Sequence, residues 1–266
     1  MKIAIVGCAG RMGRMLLTEV QAVDGCQLSG GTGPSGAPEI GSDIGLLIGP
    51  APLGITVSDD AEAVFAAADA VIDFTAPDAT VVHAALAAKH NTALIVGTTG
   101  LSASHQSALD EAAKSVPVVF APNMSVGVNL LFALTQKVAA TLGIDYDIEI
   151  VEMHHRHKVD APSGTALGLG RAAAAGRGVA LDAVKETVRD GHTGAREAGK
   201  IGFATLRGGD VVGDHTVIFA SEGERVELTH KASSRAIFAR GAVRAAQWCD
   251  GRPAGLYSML DVLGLA

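Results

Sequence analysis

The chain has 266 residues, 48 % of them hydrophobic and 18 % charged, with a formal net charge of −7. Such a composition supports one large or two modest cores, and it excludes both a disordered chain and a non-specific nucleic-acid binder. Three scattered cysteines (Cys8, Cys26, Cys249) without CxxC spacing, no leader before the first strand-like run and no apolar run of bilayer length point to a reduced, cytoplasmic protein.

Residues 2–6 (KIAIV) read as a buried parallel strand that ends on Gly7. Gly7, Cys8, Ala9, Gly10, Arg11 and Met12 then form a glycine turn, and Met12, Leu16, Leu17 and Val20 recur at helical spacing. Strand, turn and helix make the first unit of a dinucleotide-binding fold, in which glycines admit a pyrophosphate to backbone N–H groups at a helix N-terminus. The spacing is GxxGxxG rather than GxGxxG, and a ligand-free βα turn is the plain alternative. The second strand, residues 26–30, runs into a Gly- and Pro-rich loop over 31–54. No acid stands there to take the ribose hydroxyls or repel a 2′-phosphate, which favours NADPH or dual use.

Alternation continues with strands at 55–58, 70–74, 93–96 and 116–121 and helices at 61–68, 78–90 and 102–115, the rhythm of a parallel sheet covered on both faces. The segments after three strands, 74–77, Gly97-Thr98-Thr99-Gly100 and Ala121-Pro122-Asn123-Met124, are small and suited to touching ribose and nicotinamide through their backbone. Any strand-to-helix turn looks similar; three of them beside a glycine turn favour the cofactor.

A long amphipathic helix over 125–142 opens a second domain, expected at 125–235, while 1–124 and 236–266 form the dinucleotide-binding domain. A strand over 146–153 leads into His154, His155, Arg156, His157 and Lys158, with a helix over 166–175, weakened by Gly168 and Gly170, after them. Strands at 202–207, 216–221 and 225–230, the last two joined as a hairpin, give an open mixed sheet whose uncovered face calls for a partner copy. Helices over 235–248 and 256–263 close the chain. The fold class is thus α/β: a Rossmann-type parallel sheet with a second α+β domain on a mixed sheet.

The histidine block could be a metal site, a nucleic-acid patch or a solvated turn. It lacks the further ligands of a usual zinc site, and it is too short for a nucleic-acid surface in an acidic chain. The next six residues favour a small anion: Asp160 to Thr165 (DAPSGT) stops the strand, and the amides of Gly164 and Thr165 with the threonine hydroxyl form a carboxylate nest. Lys158 and His154 or His155 can face that pocket, and Arg235 is a second carboxylate clamp candidate.

GxxGRMG at the N-terminus together with ExHHRHKxDAPSGTA resembles the dihydrodipicolinate reductase family. The likeness runs through Phe74-Thr75, 97–100, 123–129, 191–194, 201–204 and 230–235, so it spans essentially the whole chain. It implies reduction of a cyclic unsaturated imine dicarboxylate, formed from 4-hydroxy-tetrahydrodipicolinate, to tetrahydrodipicolinate in lysine and diaminopimelate synthesis. Hydride comes from NADH or NADPH. By the same likeness His154 is the proton donor/acceptor and Lys158 the proton donor, while His155, Gly164 and Thr165 hold substrate carboxylates. It also implies a homotetramer joined through the second domain. A lysine crowded by cations is expected to be a stronger acid. Two departures bear on the cofactor: many relatives have Glu-Arg where this chain has Gly33-Pro34, and some have arginine where it has Ala76. Another imine or amino-acid oxidoreductase, or a non-catalytic nucleotide sensor, are the alternatives.

Overall fold

The computed structural model describes residues 1–266, which divide into two units. One comprises Met1–Val126 with Ala236–Gly264 and Ala266; the other is Gly127–Arg235 with Leu265.

The chain enters the first unit through β1 (Lys2–Val6), β2 (Gln27–Thr32), β3 (Val57–Ser58), β4 (Ala70–Asp73), β5 (Ala93–Val96) and β6 (Pro117–Phe120), alternating with α1 (Arg11–Ala22), α2 (Ala61–Ala66), α3 (Pro77–His90) and α4 (Ala103–Ala112). Strands β4 and β5 are buried throughout and β1 from its second residue on. Runs such as AVID and ALIV have no polar face to offer water, so helices must cover both sides. Strand β2 extends to Thr32 rather than ending at residue 30, because its parallel register with β1 continues to the Val6–Thr32 pair. The glycine- and proline-rich loop beyond it is not featureless. Asp43 accepts from the N–H of Gly45 (2.7 Å), Leu53 (2.8 Å) and Gly54 (2.7 Å), which caps a 3-10 turn at Ile44–Leu47 and closes the loop on itself.

The second unit holds α5 (Val126–Thr141, all but its first residue), β7 (Asp147–His154), α6 (Gly164–Gly176), α7 (Leu181–Val184), β8 (Lys185–Glu186), β9 (Ile201–Arg207), β10 (Gly213–Ser221) and β11 (Glu224–Ala232). Their sheet runs β11-β10-β7-β9-β8, antiparallel up to β7 and parallel beyond it. The two short elements α7 and β8 have too few residues to show a period in the sequence. Burial alternates strictly along β7: Ile148, Ile150, Glu152 and His154 face inward. The inner face is therefore apolar at one end, where Ile148, Ile150, Val217 and Phe219 meet Leu169 and Ala173 of α6. At the other end it is polar. Gly168 and Gly170 do not break α6, because they are positions where it packs closely. An added Cβ would fall 2.8 Å from the Phe132 ring at Gly168 and 2.5 Å from Phe203 at Gly170.

The chain then returns to the first unit with α8 (Ala236–Trp248), β12 (Gly255–Tyr257) and α9 (Met259–Leu263). The expected single helix over 256–263 is in fact a strand and a short helix. Ser258 separates them, its hydroxyl accepting from the N–H of Leu260 and Asp261 in a capping box, while Leu256 and Tyr257 pair with Val118 and Val119. The complete sheet is β12-β6-β5-β4-β1-β2-β3, all parallel, and the order in which strands are added switches sides between β1 and β4 as in a Rossmann-type sheet. No helix is long and apolar enough to cross a membrane.

Candidate active site

In the first unit the site is built where the strands end. Gly7 leaves β1 with φ +67°, a conformation that favours glycine, and its missing Cβ would meet the Thr75 methyl at 2.9 Å. Gly10 caps α1 without any side-chain hydrogen bond, and no acidic residue stands in the first turn. The opening N–H groups of α1 are therefore directed at whatever lies beyond the turn. Gly13 brings helix and turn together: a Cβ there would sit 2.3 Å from the Gly7 carbonyl oxygen and 2.5 Å from that of Cys8. Arg14 bonds the carbonyls of Ala9 (2.9 Å) and Leu47 (2.7 Å), fastening the turn to the capped loop. An uncapped helix start behind a glycine turn fits a dinucleotide pyrophosphate.

Not every residue expected at the cofactor contributes in the same way. Cys8 spends its N–H on the Thr32 carbonyl (2.9 Å), and its thiol is fully buried, where burial pushes its pKa up to about 11. It shapes the turn from behind. Ala121 and Met124 also have buried side chains, and α8 lies so close that a Cβ on Gly241 would overlap the Met124 carbonyl. Only their backbone can face a ligand. Thr98 is buried too, and donates to Asp73 (3.1 Å). Asp73 also accepts from Thr75 N–H (2.8 Å), the hydroxyls of Thr75 (2.6 Å) and Thr80 (2.9 Å), and pairs with His83 (2.8 Å). Burial opposes the Asp73 charge, yet the hydrogen bonds from His83 and Thr75 win and hold its carboxyl below the usual range. One buried carboxylate thus fixes the loops after β4 and β5, while Thr99 remains exposed. Beside β2, Ser35 donates to Asp59 at 2.9 Å. This bond brings the residue after β3 against the loop that follows β2.

In the second unit the polar end of the inner sheet face is a connected cluster. Glu152, 1 % exposed, takes Arg207 in a two-point pair (2.8 and 3.0 Å), His154 Nδ1 at 2.5 Å and the N–H of Ser163 at 3.1 Å. Burial would raise its carboxyl, but the Arg207 and His154 hydrogen bonds outweigh that and hold it below the ordinary carboxylate value. His154 is itself buried, which lowers its pKa against the opposing pull of Glu152. His215 contacts His154 edge-on at a centroid distance of 5.0 Å and bonds Ser163 Oγ at 3.1 Å. Burial pushes His215 down to about 4, so it is neutral at physiological pH. Ser163 Oγ also accepts from Ala166 N–H and so caps α6, whose first residues are Gly164 and Thr165.

The cationic block divides. His154 turns inward; Arg156 and His157 are exposed. Lys158 is not among cations alone, because its ammonium donates to Asp160 at 2.8 Å and holds that carboxyl below its ordinary value. Arg207 fastens the same loop by bonding the Asp160 carbonyl at 2.7 Å. His155 lies against His157, centroids 6.2 Å apart, and its backbone N–H is bound to the Val211 carbonyl. Glu152 thus ties His154 to the capped helix start that opens with Gly164 and Thr165, Arg207 and His215 complete the cluster, and Lys158 stands on the intervening loop, paired with Asp160. Period-two spacing with Ile148 and Ile150 marks Glu152 in the sequence; nothing local marks Arg207 or His215.

A dinucleotide fold joined in one chain to a buried acid–base cluster marks an NAD(P)-dependent oxidoreductase. Family models for the N-terminal and C-terminal parts of dihydrodipicolinate reductase match residues 1–124 and 127–263. The chain belongs to the dihydrodipicolinate reductase family. It is 56 % identical to the 4-hydroxy-tetrahydrodipicolinate reductase of Dinoroseobacter shibae over 263 residues, covering 99 % of this chain and 98 % of the relative. It is 54 % identical over 265 residues to the enzyme of that name from Cupriavidus metallidurans, with both chains covered in full. Among solved structures, a dipicolinate-bound dihydrodipicolinate reductase from Paenisporosarcina sp. TG-14 shares the fold (TM-score 0.78, 23 % identity, 98 % of each chain). An amine dehydrogenase from Mycobacterium smegmatis shares it more loosely (TM-score 0.60, 15 % identity, 97 % and 94 % covered).

Proposed function

We propose that the protein reduces the unsaturated imine dicarboxylate formed from 4-hydroxy-tetrahydrodipicolinate to tetrahydrodipicolinate, a step of lysine and diaminopimelate biosynthesis, in the cytoplasm. NADH or NADPH, when bound, supplies the hydride that enters the conjugated double bond. The observation that carries the reading is that Glu152 binds both His154 and the Ser163 N–H at the N-terminus of α6, with Lys158 charged beside the same histidine. Residues 7–12, 97–99 and 121–124 would hold the nucleotide, chiefly through backbone, with Cys8 and Thr98 shaping the turns that do so. Gly164 and Thr165 offer the N–H groups of a helix start to a carboxylate, and His155 adds a further donor. After hydride addition the neighbouring ring carbon takes a proton, for which His154 and Lys158 are the donors; a placed donor typically contributes ~10²–10⁴-fold.

Asp59 beside Ser35 favours the dual-use side of the expectation of NADPH or dual use. A carboxylate at the adenosine end accepts ribose hydroxyls and repels a 2′-phosphate, so NADH is expected to serve at least as well. The outer face of the five-stranded sheet supports a homotetramer: Val151, Met153 and Ile218 are only half-buried and Leu206 is 50 % exposed.

The test is an assay of nucleotide oxidation with the product of dihydrodipicolinate synthase, run with NADH and NADPH side by side. Oxidation that depends on that product, with kcat/KM for NADH equal to or above that for NADPH, is the expected result. No oxidation with either cofactor would remove the assignment.

A further inference from the structure

His154 is held at one ring nitrogen, and no protein group bonds the other. Its Nδ1 is tied to Glu152, whose two oxygens are also claimed by Arg207 from β9 and by the Ser163 N–H at the head of α6. Strand pairing sets this up, since His154 lies opposite Arg207 and Glu152 opposite His215. On the far side, Nε2 has no protein partner, and the residue facing it carries no side chain. Gly213, the first residue of β10, is not in the left-handed region, so its backbone does not require glycine, yet a Cβ there would come within 3.0 Å of His154 Nε2 and 3.5 Å of the His215 ring.

We infer that Glu152 is the positioning residue that fixes His154 with Nδ1–H inward and Nε2 presented to substrate, and that Gly213 is the opening through which Nε2 is reached. The inference rests on the reading of His154 as a proton donor. In the step itself Nε2–H gives its proton to the ring carbon, the imidazolium becomes neutral imidazole, and Nδ1–H stays on the ionised Glu152. Because Glu152 also holds Ser163, one carboxylate sets the distance between the proton donor and the helix start proposed to bind the substrate carboxylate. The charged and titratable groups facing His154 are Glu152 on its own strand, Arg207 on β9, His215 on β10, and Lys158 with Asp160 on the loop after β7. Of these only Glu152 touches the ring nitrogen.

The decisive comparison is kcat against pH for wild type, Glu152→Gln, Glu152→Asp and Gly213→Ala. Glu152→Gln would leave Arg207 buried without its anion, so Glu152→Gln is also made with Arg207→Met to preserve folding. Both Gln variants are expected to lose roughly tenfold in kcat near pH 7.5 and to move the His154 limb about one pH unit towards acid, with nucleotide affinity unchanged. Glu152→Asp, which keeps the charge, should hold the limb near its wild-type place. Gly213→Ala should lower kcat/KM at every pH without moving the limb. Folded Gln variants with the wild-type limb and kcat would overturn the inference. Should wild type itself show no turnover, the proposed function fails, and ¹⁵N-histidine NMR still decides this point. His154 protonated on Nδ1 in wild type supports the arrangement, whereas neutral His154 carrying its proton on Nε2 refutes it.

Discussion

Lys158→Ala is expected to lower kcat by at least ~10²-fold with only a modest change in KM. The ammonium lies on the loop between His154 and the start of α6, 21 % exposed and 2.8 Å from Asp160. Its removal takes away a positively charged donor beside the proposed substrate site while leaving the Glu152–His154–Arg207 cluster intact. The Lys158–Asp160 pair is itself solvent-facing, Asp160 being 56 % exposed, so its loss costs at most ~1 kcal/mol of stability. A large fall in kcat therefore cannot be assigned to unfolding, which a denaturant titration of the variant checks. Nucleotide affinity should be unchanged, because the nucleotide is held by the other unit. A near-normal kcat would refute the acid role.

The second large effect is expected at Gly13→Ala. The added methyl would meet the carbonyl oxygens of Gly7 and Cys8 at 2.3 and 2.5 Å, and both are backbone, so no side chain can swing aside. Helix α1 must move away from the turn. Forced overpacking of this kind typically costs ~1–3 kcal/mol and sometimes more. The same displacement carries the opening N–H groups of α1 off the pyrophosphate position, so nucleotide affinity should fall by at least about tenfold, read by fluorescence titration with NADH. Gly49→Ala is the control, since nothing lies within 4 Å of its Cβ position and its φ is not positive. Equal nucleotide affinity in the Gly13 variant and wild type would mean that the turn is not the nucleotide site.

Legibility in the sequence differs between the two units. The parallel sheet is readable from apolar runs such as AVID and ALIV, which specify burial on both faces, and from glycine at the end of β1. The final helix is not, because Leu256 and Tyr257 fit a helical period as well as a strand. Their place beside β6 depends on a sheet edge over a hundred residues earlier in the chain. In the second unit, His154 and Lys158 stand out locally as a charge block in a chain sparing with charge. Arg207, Gly213 and His215 do not, because only the register of β7 with β9 and β10 brings them to His154. Asp59 is a similar case: reading along the chain from β2 finds no acid, whereas the parallel pairing of Thr32 with Ser58 places one next door.

If the chemistry is as proposed, one hydrogen of the product comes from the nucleotide and its neighbour from the protein's own acid. Isotope placement in tetrahydrodipicolinate tests this most directly. Two reactions are compared: one with nucleotide deuterated at the transferable position, run in H₂O, and one with ordinary nucleotide, run in D₂O. A single deuterium is expected at the hydride-accepting carbon in the first and at the adjacent carbon in the second. Product that carries no nucleotide-derived deuterium would contradict the hydride step.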